Sequence, residues 1–279
     1  MALLANPSTS RKVLRVLGEH PVATGFLGGD RGDFLRSVLD ERGIEHEFVT
    51  VVPRTRQCVT VIDESAGTHT ELVEESQPVH PEDFAALRAI LDRRIPGCRA
   101  VVMSGTITPG GPAELYYQVA QLAHAAGALP IVDAQGAPLL AALPARPGLV
   151  KPNRAELAAT VGRALPDEDA VLKAMRELVE RGAQRIIVTA GQDPALAFDG
   201  RNFWRIISPR INAVNPIGSG DSFTAGLVWR LVRGDDLGEA CRWAAATGSA
   251  NALTLMAGEV PRDDVERLAR DIQMERIAD

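Results

Sequence analysis

Short apolar runs alternate with amphipathic helical stretches along this chain, and the alternation constrains the fold more than any other feature. Apart from the arginine that begins each run and the threonine that ends the second, the runs at 99–103 and 185–189 are continuously apolar, without the every-second-residue pattern of a half-buried strand. The stretches at 112–126 and 167–181 have helical periodicity, and each is followed by a glycine. Strands that are apolar on both faces must be covered on both faces. The sequence therefore predicts an α/β fold with a mostly parallel sheet.

The remaining elements follow the same rhythm. We predict helices over 32–42, 81–94, 222–233, 237–255 and 261–272, and strands over 129–132 and 148–150. Neither an internal repeat nor a break in composition divides the chain, so we expect a single domain over 1–279. In sheets of this kind ligands bind at the carboxyl ends of the strands, and we look for the site there.

One segment departs from the rhythm. Residues 57–63 and 68–73 are rich in β-branched side chains and are separated by four residues that include a glycine. This pattern predicts a hairpin. Because it lies between helical stretches, we expect a small β appendage, formed within about 45–75, that stands apart from the main sheet.

Composition excludes several classes of protein. The net charge of −6 argues against a nucleic-acid partner. Three widely spaced cysteines favour neither a disulfide framework nor a zinc site, and the five histidines lack ligand spacing. The apolar start of the chain is too short for a signal peptide, and no apolar run approaches the ~20 residues that span a bilayer. We expect a cytoplasmic protein without a membrane partner.

The segment Asn215-Pro216-Ile217-Gly218-Ser219-Gly220-Asp221 is the most informative motif. Its glycines allow a sharp turn and close approach of the backbone to a ligand. The helix predicted directly after it would point amide N–H groups outward, which suits an anion. Asp221 could take a proton from a hydroxyl there, or it could simply cap the helix. A P-loop motif and a dinucleotide-binding glycine motif are both absent from the sequence.

This segment resembles the second signature of the PfkB (ribokinase-like) carbohydrate kinases, and three further segments agree with that family in chain order. They are Thr24-Gly25-Phe26-Leu27-Gly28-Gly29-Asp30, Val101-Val102-Met103-Ser104-Gly105 and Lys151-Pro152-Asn153-Arg154-Ala155-Glu156-Leu157. The resemblance covers roughly 13–260. The branch of tagatose-6-phosphate kinase and 1-phosphofructokinase looks most similar, because Lys-Pro-Asn and Arg56-x-Cys58-x-x-Val61 follow its style. The resemblance implies a three-layer α/β/α sandwich with a β lid, and ATP and Mg²⁺ as cofactors.

The family's roles carry over by position. The resemblance implies that Asp221 is the catalytic base and that Gly218, Ser219 and Gly220 form an anion hole. The implied ATP-binding residues are Lys151, Asn153, Glu156, Thr189, Gly191 and Asn251, of which Asn153 and Glu156 would place the metal. The implied substrate-binding residues are Gly28, Gly29, Arg56, Ser104, Gly105 and Asp133.

Simpler interpretations stay open for four of these residues. Glu156 could be a first-turn carboxylate favoured by the helix dipole. Arg56 could be a solvated charge on an edge strand. Asn251 could be a surface residue, and Asp133 could cap the turn that follows it.

Two departures from the family pattern are visible. Pro194 stands where such kinases carry a glycine beside the nucleotide, and the amino-terminal Gly-Gly-Lys-Gly-x-Asn signature is missing. Only about two dozen residues precede Gly25, so we expect the first family strand to be absent, with a hole in the sheet and a thinner lid.

We therefore predict ATP-dependent phosphorylation of a hydroxymethyl group on a phosphorylated ketohexose, such as tagatose 6-phosphate or a fructose phosphate. One alternative is a kinase of an unphosphorylated sugar or nucleoside. Another is a non-catalytic sugar- or nucleotide-binding relative, since the amino-terminal substrate motif is missing. By analogy, a homodimer could form through the lid.

Overall fold

A computed structural model describes residues 2–4, 9–63 and 68–277. The strands are β1 (Ala2–Leu4), β2 (Pro21–Leu27), β3 (Glu45–Thr50), β4 (Cys58–Asp63), β5 (Thr68–Val73), β6 (Ala100–Ser104), β7 (Leu129–Asp133), β8 (Leu149–Val150), β9 (Ile186–Ala190), β10 (Asp193–Phe198), β11 (Phe203–Ile207) and β12 (Gln273–Ile277). The helices are α1 (Thr9–Val16), α2 (Gly29–Glu41), α3 (Pro81–Arg94), α4 (Leu115–Ala125), α5 (Gly136–Ala142), α6 (Arg154–Val161), α7 (Glu168–Glu180), α8 (Ser219–Leu231), α9 (Leu237–Ala252) and α10 (Arg262–Asp271).

Ten of these strands form one sheet, in the order β12-β11-β10-β9-β8-β7-β6-β1-β2-β3. From β9 to β3 every neighbouring pair is parallel, whereas β10, β11 and β12 extend the sheet by antiparallel pairing. The α/β class and the mostly parallel sheet predicted from the apolar runs are confirmed. Pro194 lies where the β9–β10 register shifts, a place that tolerates a residue without an N–H.

The expected hole in the sheet is absent. The short strand β1 lies between β6 and β2 and pairs in parallel with both, so that Ala2 stands opposite Ala100 on one side and Pro21 on the other. A strand of three residues is enough to fill this position in the sheet, because it pairs with β6 on one side and β2 on the other. The expectation of a missing strand was wrong, since so short a strand carries no readable periodicity.

Two large hydrophobic cores, and a smaller one in which α2 packs against β2 and β3, cover the faces of the sheet. Helices α3 to α7 pack on one face, around residues such as Leu139 and Met175. Helices α1, α8, α9 and α10 pack on the other, around residues such as Leu14 and Leu227. The result is the three-layer sandwich that the resemblance implied.

The predicted hairpin forms its own two-stranded sheet, β4–β5, with Val59 opposite Leu72. It is narrower than the expected 45–75 interval, because residues 45–50 form the edge strand β3 of the main sheet. In the described ranges, none of the helices combines the length and the apolar character needed to cross a bilayer.

Candidate active site

The predicted site residues gather where parallel strands end. Gly28 follows β2, Ser104 and Asp133 end β6 and β7, Lys151 follows β8, and Thr189 lies near the end of β9. All five strands run in the same direction, so these residues share one edge of the sheet. This is the edge at which ligands bind in such folds.

The glycine loop turns sharply into α8. Gly218 is the N-cap and has a left-handed φ of +79°. A methyl group there would lie 2.9 Å from both Ala257 Cβ and Thr9 Cγ2, so the position requires glycine twice over. Asn215 holds the start of the loop, since its Oδ1 accepts from Ile217 N at 3.0 Å and its Nδ2 donates to Leu255 O at 2.9 Å.

The first amides of α8 divide into two kinds. The N–H of Ser219 donates to Pro216 O at 3.1 Å, and the N–H of Ser222 makes the first intrahelical bond, to Gly218 O. The N–H groups of Gly220 and Asp221 lie between them, in the turn whose donors find no acceptor within the helix. Gly220 is exposed, and a Cβ added there would meet nothing within 4 Å. This turn therefore opens onto space that an anion could fill.

Asp221 stands in the first turn of α8 and is partly buried. Burial raises the pKa of its carboxyl above the usual value, and the nearby Asp133 raises it further. Lys151, a hydrogen bond from Thr9 and the charge of Arg11 oppose this rise in pKa. Asp221 is thus a carboxylate whose proton affinity is increased by its surroundings, as a general base requires.

Asp133 and Lys151 form a buried ion pair beside Asp221. Lys151 Nζ lies 3.1 Å from Asp133 Oδ1, and the side chains are 4% and 12% exposed. Thr224 Oγ1 donates to the other oxygen of Asp133 at 2.7 Å. The structure therefore gives Lys151 a partner at the end of β7. The interpretation of Asp133 as a simple turn cap does not account for these contacts.

Asn153 and Glu156 form a capping box at the start of α6. Asn153 Oδ1 accepts from Glu156 N at 2.8 Å, and Glu156 Oε2 accepts from Asn153 N at 2.7 Å. The first-turn interpretation of Glu156 is therefore correct as far as the fold is concerned. The described residues hold no group of three or more His, Cys, Asp or Glu side chains that could bind a metal by themselves.

A groove of about 460 Å³ lies beside this capping box. Asn153, Thr189 and Gly191 line it, which brings together three of the six residues predicted to bind ATP. Asn153 and Thr189 are bridged in parallel, with Thr189 N donating to Pro152 O. Glu156, Lys151 and Asn251 are not among the residues that line this groove.

Asn251 is fully buried, so the interpretation as a surface residue was wrong. Its Nδ2 donates to Ile217 O at 2.8 Å and its Oδ1 accepts from Gly258 N at 2.8 Å. Asn251 Nδ2 also donates to Ser219 Oγ at 3.2 Å. Asn251 therefore ties residues 217 and 219 of the glycine loop to Gly258 through side-chain hydrogen bonds.

The glycine pair after β2 packs against the segment that leads to the hairpin. A methyl group on Gly28 would lie 2.1 Å from Pro53 O, and Gly28 N donates to Thr55 Oγ1 at 3.0 Å. Arg54 makes two bonds of 2.5 Å to Asp30. Arg56 is exposed, and within the described residues it has no recorded ion pair.

The Ser104–Gly105 turn is held by a tyrosine that sequence reasoning missed. Tyr116 is buried on α4, and its hydroxyl, which has one proton to donate, lies 3.2 and 3.0 Å from the carbonyl oxygens of Ser104 and Gly105. Burial, and secondly the charge of Asp133, raise the pKa of Tyr116, which keeps it a donor. Gly105 N in turn donates to Asp133 O at 3.0 Å.

Sequence reasoning also missed the start of α1. Ser10 Oγ donates to the backbone carbonyl of Asp221 at 3.0 Å, and Thr9 donates to the Asp221 carboxylate. Arg11 is fully buried nearby. The missing amino-terminal signature drew attention to this region, but it did not indicate which side chains approach Asp221.

Comparison with known proteins agrees with this geometry. A family model described as pfkB family carbohydrate kinase matches residues 7–262, most of the chain. The chain belongs to the pfkB family of carbohydrate kinases. It is therefore a sugar kinase with the ribokinase-like fold.

Solved structures of this family match nearly the whole chain. Phosphofructokinase-2 from Escherichia coli in complex with fructose-6-phosphate is 30% identical, with a TM-score of 0.81 over 94% of this chain and 85% of that one. The tetrameric inhibited form of that enzyme is also 30% identical, with a TM-score of 0.84 over the same shares. A protein named possible 1-phosphofructokinase from Thermotoga maritima is 25% identical, with a TM-score of 0.88 over 96% of this chain and 86% of that one.

Proposed function

We propose that this kinase transfers the γ-phosphoryl group of ATP to a hydroxymethyl group of a phosphorylated ketohexose, such as a fructose phosphate or tagatose 6-phosphate. The observation that carries the proposal is the position of Asp221, a partly buried carboxylate one residue beyond an uncovered glycine at a helix N-terminus. The likeness to phosphofructokinase-2 bound to fructose-6-phosphate supports the substrate class.

The charge requirements of phosphoryl transfer fit the loop. The N–H groups of Gly220 and Asp221 lie in the first turn of α8, whose donors have no acceptor within the helix, and a Cβ added at Gly220 would meet nothing within 4 Å. A phosphoryl group placed there would be stabilised as negative charge grows on it, and one such donor is typically worth about 10²–10³-fold in rate. Asp221 would accept the proton of the attacking hydroxyl, which typically contributes about 10²–10⁴-fold.

The groove beside α6 suits the nucleotide. It is lined by Asn153, Thr189 and Gly191 at the ends of β8 and β9, on the same edge of the sheet as Asp221. Bound there, ATP would extend its phosphates along the strand ends toward α8. The volume of about 460 Å³ is within the ordinary range for small-molecule sites.

Asn153 and Glu156, at the start of α6, could supply one or two oxygen ligands to Mg²⁺. Mg²⁺ needs only one or two protein carboxylates, since phosphate and water oxygens complete its shell. Oε2 of Glu156 is engaged in the capping box, so Oε1 is the oxygen that would face the metal, with Asn153 beside it. Magnesium bound there would neutralise part of the charge on the nucleotide phosphates.

We further propose that the hairpin mediates a homodimer. Val59, Val61 and Leu72 lie on one face of β4–β5 and are 42%, 54% and 60% exposed. Burying that face against a second copy would remove apolar surface from water. Light scattering should give a dimer mass for the wild type and a monomer mass for Val61→Lys. A monomeric wild type would contradict the proposal.

The kinase proposal is tested by coupled ADP release with fructose 6-phosphate, fructose 1-phosphate and tagatose 6-phosphate, against fructose and a nucleoside. We expect turnover only with one or more of the sugar phosphates. Asp221→Asn should lower kcat by at least about 10²-fold while calorimetry still detects ATP binding. Asp263→Asn, an exposed first-turn carboxylate of α10, is the matched control and should keep full activity.

Two results would contradict this assignment. Full turnover by Asp221→Asn would remove the proposed base. Binding of sugar phosphate and ATP by the wild type without any ADP release would instead favour a non-catalytic relative.

A further inference from the structure

A second groove, of about 590 Å³, lies between α1, the turn that leads into β3 and the segment that joins α9 to α10. Lys12, Arg15 and Val16 form one wall, Arg42 and Ile44 the second, and residues 258–261 the third. None of the residues placed in the active site lines it. We call it the α1 groove.

The α1 groove is cationic in a chain that is acidic overall. Lys12, Arg15 and Arg42 face it, and Glu259 is the one carboxylate among the described residues of its walls, whereas the chain carries a net charge of −6. Arg15 Nη2 lies 4.0 Å from the position of a Cβ on Gly43, so its guanidinium reaches the turn that carries Arg42. Three cations converging on one concave space favour an anionic occupant.

The pKa of Lys12 is affected by the neighbouring charges of the groove. Burial lowers the pKa of its ammonium, the charge of Arg42 lowers it further, and Glu259 partly compensates. Glu259 contacts Arg42 only loosely, with 3.4 Å between Oε1 and Nη2 and with both side chains well exposed. A pair of this kind is worth little and leaves the guanidinium available to a ligand.

The rest of the wall is mostly apolar. Val16 contributes exposed hydrocarbon surface, and Ile44 and Val260 lie almost fully buried beneath the groove. A groove of about 590 Å³ with convergent cations and an apolar wall has the size and composition of a small-molecule site. The matching chemistry is a phosphate group, which arginine forks bind well, attached to a less polar body.

Hydrogen bonds connect the α1 groove to the glycine loop. Lys12 Nζ donates to Ala257 O at 3.4 Å, and the next residue, Gly258, donates its N–H to Asn251 Oδ1 at 2.8 Å. Asn251 Nδ2 donates to Ile217 O at 2.8 Å, one residue before Gly218. An anion that draws the Lys12 ammonium toward itself would weaken the first of these bonds and change how firmly Asn251 holds the loop.

We propose that the α1 groove is a second binding site, for a phosphorylated small molecule, and that its occupancy is transmitted through residues 257–258 and Asn251 to the loop before Asp221. Binding does not depend on the proposed kinase function. Only the effect on turnover rests on it, so the two can fail separately.

The binding test uses inorganic pyrophosphate and isothermal titration calorimetry. Arg15→Gln/Arg42→Gln should weaken pyrophosphate binding at the groove by at least about tenfold, because it removes two charged donors. Glu259→Gln should tighten it by about threefold, since it removes the only opposing charge on the walls. Arg88→Gln/Arg262→Gln is the matched control. These arginines form exposed i,i+4 pairs on α3 and α10, so their loss should not change binding.

Pyrophosphate could also bind at the glycine loop, and the variants separate the two sites. A stoichiometry that falls from two to one in Arg15→Gln/Arg42→Gln supports the proposal. A dissociation constant and stoichiometry unchanged by that double variant would overturn it, as would the absence of binding at 10 mM.

Amide signals give a second measurement that requires no variant to fold. In the wild-type ¹H–¹⁵N spectrum, pyrophosphate should shift the signals of Gly43, Gly258 and Val260, at the groove, and should alter hydrogen exchange at Ile217. Shifts confined to Gly220 and Asp221 would contradict the site. Groove shifts with unchanged exchange at Ile217 would contradict the transmission.

Discussion

Lys151 Nζ lies 3.1 Å from Asp133 Oδ1, in the buried centre of a site where Asp221 is the other nearby carboxylate. The Lys151 ammonium therefore acts on two carboxylates, those of Asp133 and Asp221. It neutralises Asp133 directly and lowers the pKa of Asp221 through space, against the effects of burial and of Asp133. Without it, the two carboxylates would face each other with one cation fewer between them.

Lys151→Met should destabilise the protein by about 3–5 kcal/mol, because it leaves the charge of Asp133 buried without its partner. Urea unfolding followed by circular dichroism would measure this. The same variant should move the acidic limb of the pH–rate profile to higher pH, since the pKa of Asp221 is no longer lowered by Lys151. Lys151→Met/Asp133→Asn removes both charges and should recover much of the lost stability. A single variant as stable as the wild type would contradict the buried pair.

Asp221→Asn should be more stable than the wild type at neutral pH. The pKa of Asp221 is raised in the folded state, so the wild type loses stability as pH rises from the unfolded pKa, about 4, through the folded value. The side-chain amide of the Asp221→Asn variant does not ionise, so the variant does not lose stability in this way. The melting temperature of Asp221→Asn should therefore exceed that of the wild type at pH 7.5, and the difference should disappear toward pH 4. The opposite order at pH 7.5 would show that the carboxylate is stabilised where it lies.

Gly218→Ala should lower the stability of the protein, whereas Gly220→Ala should lower its activity. At Gly218 the φ of +79° and the 2.9 Å approaches to Ala257 and Thr9 should cost about 2–4 kcal/mol of unfolding free energy. At Gly220 a methyl group meets nothing, so stability should hold or rise slightly. Because that methyl would occupy the space proposed for the phosphoryl group, kcat should fall by about 10²-fold or more. Thermal unfolding and ADP release measure the two effects, and an active Gly220→Ala would place the anion elsewhere.

Asn251→Ala should loosen the glycine loop without touching either substrate. It removes the bonds to Ile217 O and Gly258 N in a fully buried position, which should cost about 2–4 kcal/mol. We expect kcat to fall more than the KM for either substrate changes. Asn212→Ala, an exposed residue of the preceding segment, is the control. A variant with normal kcat and a raised KM for ATP would instead indicate direct contact with the nucleotide.

The sequence predicted the centre of the fold better than its edges. Helix α3 has the predicted bounds Pro81–Arg94, because a proline begins it and basic residues close its last turn. The strand β12 was missed, since Gln273–Ile277 is polar and largely exposed and follows a helix without a break in pattern. Its place in the sheet depends on pairing with β11, a contact that no local pattern reveals. The strands β10 and β11 were also missed, although both are mostly apolar and β10 is largely buried.

The site divides in the same way. Gly218 and Asp221 could be predicted because one short segment carries both the turn and the carboxylate. Ser10 could not, since it reaches the Asp221 backbone from 211 residues away in sequence. The metal prediction at Asn153 and Glu156 came from the family resemblance, whose Asn-x-x-Glu element also fits a capping box, and the structure shows the box. Spacing alone cannot distinguish two uses of the same two side chains.

Arg56→Ala should identify the group that grips the substrate phosphate. Arg56 is exposed and lies on the segment between Gly28 and the hairpin, whereas Arg54 is engaged by Asp30 through two bonds of 2.5 Å. Losing one charge-assisted contact should raise the KM for a sugar phosphate by about 10–100-fold and leave the KM for ATP unchanged.

The melting temperature of Arg56→Ala should equal that of the wild type, because an exposed side chain contributes little to stability. Arg54→Ala is the matched control: it breaks only the exposed pair with Asp30 and should change neither KM by more than about twofold. Steady-state kinetics with saturating ATP separates the two arginines. If Arg54→Ala raises the KM for the sugar phosphate and Arg56→Ala does not, the phosphate lies closer to Asp30 than proposed. If neither changes it, the substrate is held without an arginine from this segment, and an unphosphorylated sugar becomes the better candidate.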